Sequence, residues 1–185
     1  LRDISDAEMR YKLKEYLNVD NQKVSQLVDA YRSTRSNATP YDLYFLITSE
    51  HFFRMNTIRI AERKAAQKSA PVYQYFFTWQ TPKFDGLIKS PHEFEVAFAM
   101  NNVHQLPGWY GDGPEPKILA RKMSRAWAQF ARTGDPNHES LPFWPTFESP
   151  ERQTMLFDND CKVVSNPDSA GHKIMETIAP RNLNR

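Results

Sequence analysis

Residues 87–98 read Leu-Ile-Lys-Ser-Pro-His-Glu-Phe-Glu-Val-Ala-Phe and set His92 just after a strand-like run and just before a short apolar turn. An imidazole titrates near neutral pH, so a loop histidine facing a cavity can take a proton from a nucleophile and hand it to a leaving group. Glu95 follows three positions later. A lone histidine is more often a surface residue or a satisfied core residue, so this window alone assigns no reaction. A metal pair of His92 and Glu95 is a poor fit, because no further His, Cys or carboxylate cluster accompanies them. No metal and no cofactor are expected.

The elements around His92 must put it where ligands bind. Residues 71–79 are almost continuously aromatic and β-branched, the pattern of a strand buried on both faces, and are expected to form a central parallel strand. The loop Gln80–Pro91 then carries the chain from that strand's C-terminal end to His92, and ligands in open α/β sheets bind outside those ends. Upstream, the spacing predicts helices over about 6–17 with Ser5 and Glu8 as a capping box, over a segment capped by Asp20 or Asn21, and through most of 40–67 from Thr39-Pro40, with a break near Thr48-Ser49. The apolar surface of 40–67, which includes Phe45, Phe52, Phe53, Ile58 and Ile60, is too broad for a free-standing amphipathic helix.

Downstream, residues 101–116 read as a connection. Residues 117–132 make the clearest helix, with Leu119, Met123, Ala126, Trp127 and Phe130 as its core stripe and Gly134 as its left-handed cap. Phe143-Trp144-Pro145 reads as a buried aromatic anchor, 153–158 and 162–165 as an edge hairpin, 170–178 as a final helix, and Arg181–Arg185 as a fraying end. His51, His104 and His138 are given ordinary structural readings.

Basic and acidic residues nearly cancel, 24 against 22 in 185, which indicates neither a nucleic-acid footprint nor an acidic tail. A single cysteine, Cys161, forms no internal bridge. That suits a reducing compartment, or a bacterial secreted enzyme that does without bridges, and slightly favours the cytoplasm. No apolar run approaches the roughly 20 residues that span a bilayer. Any targeting peptide is expected to be absent or to lie upstream of Leu1.

Four segments, 71–79 (Pro-Val-Tyr-Gln-Tyr-Phe-Phe-Thr-Trp), 92–98, 126–137 (Ala-Trp-Ala-Gln-Phe-Ala-Arg-Thr-Gly-Asp-Pro-Asn) and 143–147 (Phe-Trp-Pro-Thr-Phe), carry a resemblance by their order and spacing. Together they resemble the C-terminal third of the type-B carboxylesterase and cholinesterase family, para-nitrobenzyl-esterase-like members of the α/β-hydrolases. The resemblance runs from about Leu27 to about Pro167. It implies that the whole of 1–185 is the C-terminal segment of one α/β-hydrolase domain, a mostly parallel central sheet flanked by helices. Within it, 1–67 would be mostly helical and 71–185 would hold the strand, the histidine loop, a helix and the edge hairpin.

The resemblance further implies that His92 matches the family's catalytic histidine and Glu95 the acidic residue after it, with Glu95 beside or behind the imidazole or else a plain surface carboxylate. The implied reaction is hydrolysis of a carboxylic ester by a Ser-His-Glu/Asp triad. None of the six glycines is followed at the second position by serine, so the nucleophile's Gly-x-Ser-x-Gly elbow is not in this sequence. Asp3 and Asp6 are the only carboxylates near the place expected for the triad acid, and neither has the surrounding pattern. The serine, and with it the acid, is therefore expected on an N-terminal portion that would be this chain's partner, and the chain alone is expected to be inactive. The competing reading is a relative with a dead site that serves as a binding or adhesion module, since fold does not fix function.

Overall fold

The computed structural model describes residues 2–180, so the fraying expected for Arg181–Arg185 lies outside the described residues. The chain divides into two compact units, one of residues up to Ile60 together with those from Pro167, the other of Ala61–Asn166.

The first unit is helical. Helix α1 (Asp6–Leu17) begins at the Ser5 capping box, α2 (Asn21–Ser33) at Asp20, and α3 (Pro40–Ser49) at Thr39 with Pro40 in its first turn. In each case a side-chain oxygen accepts one of the N–H groups that a helix start leaves unpaired. Met9, Leu13 and Leu17 of α1, Val24, Leu27, Val28 and Tyr31 of α2, and Leu43 and Ile47 of α3 are buried. The break expected near Thr48-Ser49 is not found. The helix instead widens into a π turn over Glu50–Arg54 and runs on into α4 (Met55–Ala66). The Thr48 hydroxyl donates back to the Tyr44 carbonyl at 2.8 Å, a bond that competes with the regular helix just before the turn.

The second unit is built on a three-stranded mixed sheet. Strand β1 (Gln74–Phe77) pairs in parallel with β2 (Gln153–Phe157), and β2 pairs antiparallel with β3 (Lys162–Ser165). The expected hairpin is present. The expected central strand over 71–79 is shorter and has no second neighbour among the described residues, since the order is β1-β2-β3. Its ladder stops at both ends for local reasons. The Val72 carbonyl accepts instead from Phe147 N–H at 2.7 Å, and Thr78 and Trp79 N–H both turn onto the one Phe157 carbonyl, at 2.9 and 3.1 Å.

After β1 the chain forms a 3₁₀ turn at Phe84–Gly86 and a single helical turn, α5 (Val96–Ala99). The segment expected as a plain connection folds into a 3₁₀ turn at Val103–Gln105 and another short helix, α6 (Pro107–Tyr110). Helix α7 (Pro114–Thr133) starts earlier than expected because Pro114 takes its first turn, and it closes at Gly134 with φ +76°, a conformation glycine adopts without strain.

Helix α7 buries Leu119, Ala120, Met123 and Ala126 in one cluster with Met155 and Phe157 of β2. Phe130, expected in that stripe, is half-exposed and meets Tyr73 edge-on. Phe143, expected as part of the anchor, is 76% exposed, while Trp144 is buried with its indole N–H donating to the Gln74 carbonyl at 3.1 Å. The segment has no repeating backbone to hold both rings inward, so the one with a hydrogen-bond partner is kept. Arg152, just before β2, donates to Glu62 of α4 through Nε at 2.9 Å and Nη2 at 2.7 Å.

Candidate active site

His92 sits exposed in a tight turn, on the connection that leaves the C-terminal end of β1 and enters α5. Phe94 N–H donates to the Pro91 carbonyl at 3.2 Å and Val96 N–H to Glu93 at 3.1 Å. Between them Glu93 adopts φ +65°, the left-handed conformation that lets the chain double back. The neck of the loop is pinched where Thr81 N–H donates to the Lys89 carbonyl at 3.0 Å. Thr81 itself is buried; its hydroxyl donates to the Trp109 carbonyl and accepts from Lys83 N–H at 3.1 Å.

Under the turn lies a floor of buried rings. Phe94 stacks on Tyr110 at 4.3 Å between ring centres, Trp79 lies 5.0 Å from Phe98, and Phe98 meets Tyr110 edge-on at 5.4 Å. Tyr110 Oη donates to the Phe94 carbonyl at 3.2 Å. Glu95 is half-buried three residues past His92. Burial, and then the charge of Glu95, push the phenols of Tyr75 and Tyr110 above their usual range, so this carboxylate is within electrostatic reach of both. An exposed imidazole on a loop braced at its neck and packed on aromatic rings can shuttle protons without the loop having to reorganise.

The other histidines are committed elsewhere. His51 is buried, with Nε2 at 2.9 Å from the Ala179 carbonyl and its ring edge-on to Tyr16. His138 accepts from Ser140 N–H at Nδ1 and so donates from Nε2 to the Lys122 carbonyl at 3.1 Å. His104 is exposed. Asp6 is held by Arg32 at 2.7 Å and Arg10 at 2.6 Å, and those bonds lower its carboxyl below the usual range. It is thus occupied as a structural anion. Asp3 is exposed.

The helical unit contains a polar cluster that sequence reasoning missed. His172, on the last described helix α8 (Ser169–Met175), places Nε2 2.8 Å from Glu50 Oε2, and both residues are buried. Arg54 donates to Glu50 Oε1 at 2.7 Å, to Asp168 Oδ2 at 2.8 Å and to the Pro167 carbonyl at 3.2 Å. Arg35 holds Asp168 from the other side, at 2.6 and 3.0 Å. The only signal in the sequence was Glu50 and Arg54 at i, i+4; the remaining partners are more than a hundred residues away. Every carboxylate here already has a cationic partner, which marks the cluster as a clasp for α8 rather than a reaction centre.

A depression of about 210 Å³ opens where Tyr73 and Tyr75 of the β1 segment meet Ala126, Trp127 and Phe130 of α7. It offers apolar surface and no acid or base. Among the described residues no group of three or more His, Cys, Asp and Glu could hold a metal ion, and no helix is long and apolar enough to cross a membrane.

Comparison with known proteins decides the family: the pattern of the carboxylesterase family matches residues 2–174. The chain belongs to that family. This carboxylesterase-family chain is similar to phenmedipham hydrolase of Pseudarthrobacter oxydans, 29% identical over 155 residues that make up 80% of this chain and 31% of that protein. It is also similar to the para-nitrobenzyl esterase of Bacillus subtilis, 30% identical over 112 residues, 60% of this chain and 22% of the relative.

Among solved structures, a carboxylesterase of Geobacillus stearothermophilus superimposes with a TM-score of 0.72 at 27% identity, covering 93% of this chain and 35% of that one. An esterase from Clostridium hathewayi described as hydrolysing aliphatic aromatic polyesters gives 0.69 at 26%, covering 96% and 34%. The fold is accordingly part of an α/β-hydrolase. The chain spans about a third or less of the length of these relatives.

Proposed function

We propose that this chain is the part of a serine-type carboxylesterase that supplies the catalytic histidine, His92, while the nucleophilic serine and the triad acid come from the remainder of the enzyme. The observation that carries the reading is the position of His92: an exposed imidazole in a braced turn beyond the C-terminal end of a parallel strand, in a chain of the carboxylesterase family.

In the assembled site His92 takes the hydroxyl proton as the serine oxygen bonds to the ester carbonyl carbon. It returns that proton to the departing alcohol as the C–O bond breaks. It then takes a proton from water, whose oxygen attacks the acyl-enzyme, and gives it back to the serine. Glu95 lies beside the imidazole and the Tyr110 phenol, where its charge favours the imidazolium that forms in each transition state. The substrate is a small carboxylic ester or a related carbamate.

The test combines a covalent probe with a substitution. A fluorophosphonate should label a serine on polypeptide outside these 185 residues, read by intact mass, and His92→Ala in the complete enzyme should lower turnover by several orders of magnitude while the protein still folds. Near-normal ester hydrolysis by that variant would sink the assignment. An enzyme that takes no label is the dead-site relative.

A further inference from the structure

We propose that Tyr110 is a positioning residue for His92, acting through the Phe94 carbonyl, and that Thr81 closes the same loop from its other end. The inference rests on the esterase reading of His92 and goes beyond it.

His92 is exposed, so little packing fixes its ring directly; what fixes it is the backbone of residues 91–95. That backbone is held two residues on from the imidazole, at Phe94. Phe94 is buried, its ring lies on Tyr110 at 4.3 Å and 30°, and its carbonyl accepts from Tyr110 Oη at 3.2 Å. Ring stacking alone would let Phe94 slide in the plane of the rings. The hydroxyl adds a direction, which a phenylalanine at 110 would lack.

Tyr110 is itself fixed, 5% exposed and edge-on to Phe98, and it sits next to Trp109, whose carbonyl takes the Thr81 hydroxyl. Thr81 N–H in turn pins Lys89, three residues before His92. The two hydroxyls thus tie both ends of the histidine loop to the single segment 109–110. Burial and the neighbouring Glu95 keep the Tyr110 phenol protonated well above neutral pH, so it remains a donor throughout the working range.

A proton shuttle depends on placement within a fraction of an ångström, and a displacement of about 1 Å can cost on the order of a hundredfold in rate. Removing one hydroxyl from a braced loop should cost less. Tyr110→Phe in the complete enzyme, assayed on p-nitrophenyl acetate, is expected to lower kcat about tenfold and leave KM within about twofold. Fluorophosphonate labelling should slow by the same factor as kcat, because it draws on the same base. The thermal midpoint should stay within a few degrees, since the ring and its packing remain.

Thr81→Val should give the same split and Thr81→Ser should restore it; this pair decides the matter if Tyr110→Phe fails to accumulate. Wild-type kcat and labelling rate in Tyr110→Phe or in Thr81→Val overturns the proposal, as does a lowered midpoint with unchanged kcat. His92→Ala is run beside them. If it is inactive while Tyr110→Phe and Thr81→Val are fully active, only the positioning role falls; if it is active, the esterase reading falls and takes the positioning role with it.

Discussion

Arg54→Met removes the cation at the centre of the buried cluster while keeping most of the side-chain stem. Arg54 is 10% exposed at its side chain, against 2% for Glu50 and 7% for Asp168. Asp168 would retain both bonds from Arg35, so the deficit falls on Glu50. Glu50 would be left with His172 at 2.8 Å and a long contact from the Tyr31 hydroxyl at 3.5 Å. An uncompensated charge in such a site costs about 3–5 kcal/mol.

Glu50→Gln added to Arg54→Met removes the stranded charge and keeps an acceptor for His172, so most of that loss should return, with a coupling energy of about 2 kcal/mol or more. Hydrogen exchange read by mass spectrometry over residues 21–33 and 169–175 reports the opening free energy of α2 and α8 directly. A loss below about 1 kcal/mol for Arg54→Met, or no recovery in the double variant, would refute the view that Arg54 neutralises Glu50.

Two further perturbations probe the same unit. A Cβ at Gly171 would fall 2.4 Å from Cζ and 2.8 Å from Oη of the buried Tyr31, so Gly171→Ala must push α8 off α2; a cost of about 1–3 kcal/mol is expected as a lowered thermal midpoint, and an unchanged midpoint would contradict it. Burial pushes the Asp168 carboxyl up, but the bonds from Arg35 and Arg54 outweigh it and hold the carboxyl below its usual value. Its contribution is therefore fully present above the unfolded value of about 3.9 and is lost as pH falls through the lower folded value. Urea midpoints measured from pH 7 downward should fall more steeply below about pH 4 for the native chain than for Asp168→Asn, and parallel curves would count against the pairing.

What could be read in advance was whatever local chemistry decides. Ser5 with Glu8, Asp20, Thr39-Pro40 and Gly134 each mark a helix end through one side chain or one glycine, and each is found there. The β2-β3 hairpin likewise follows from two short runs and a turn. The shortfalls come from distant partners. Val72 leaves the ladder because Phe147 claims its carbonyl, and Phe143 and Trp144 part company because only the indole finds an acceptor, on Gln74. The π turn gives no compositional sign, and α6 was hidden in a stretch rich in glycine and proline. The position of His92 was legible from its segment and its company, whereas its supports, Thr81 and Tyr110, look like ordinary loop residues until the carbonyls they reach are known.

The widened turn at Glu50–Arg54 also sets a clock for the helices on either side. Leu43, Ile47, His51 and Met55 are all buried, a period of four residues, whereas an α-helix turns about 100° per residue and would swing such a series about 40° further round at each step. The π turn absorbs the excess, so the buried line stays straight across it. Loss of a single residue between 49 and 54 would restore uniform winding and rotate everything beyond by about 100°, carrying Met55 and Ile58 toward solvent. Chain length at this point is therefore as strictly specified as any side chain, and a one-residue deletion there should be far more damaging than one in the loop 34–38 between α2 and α3.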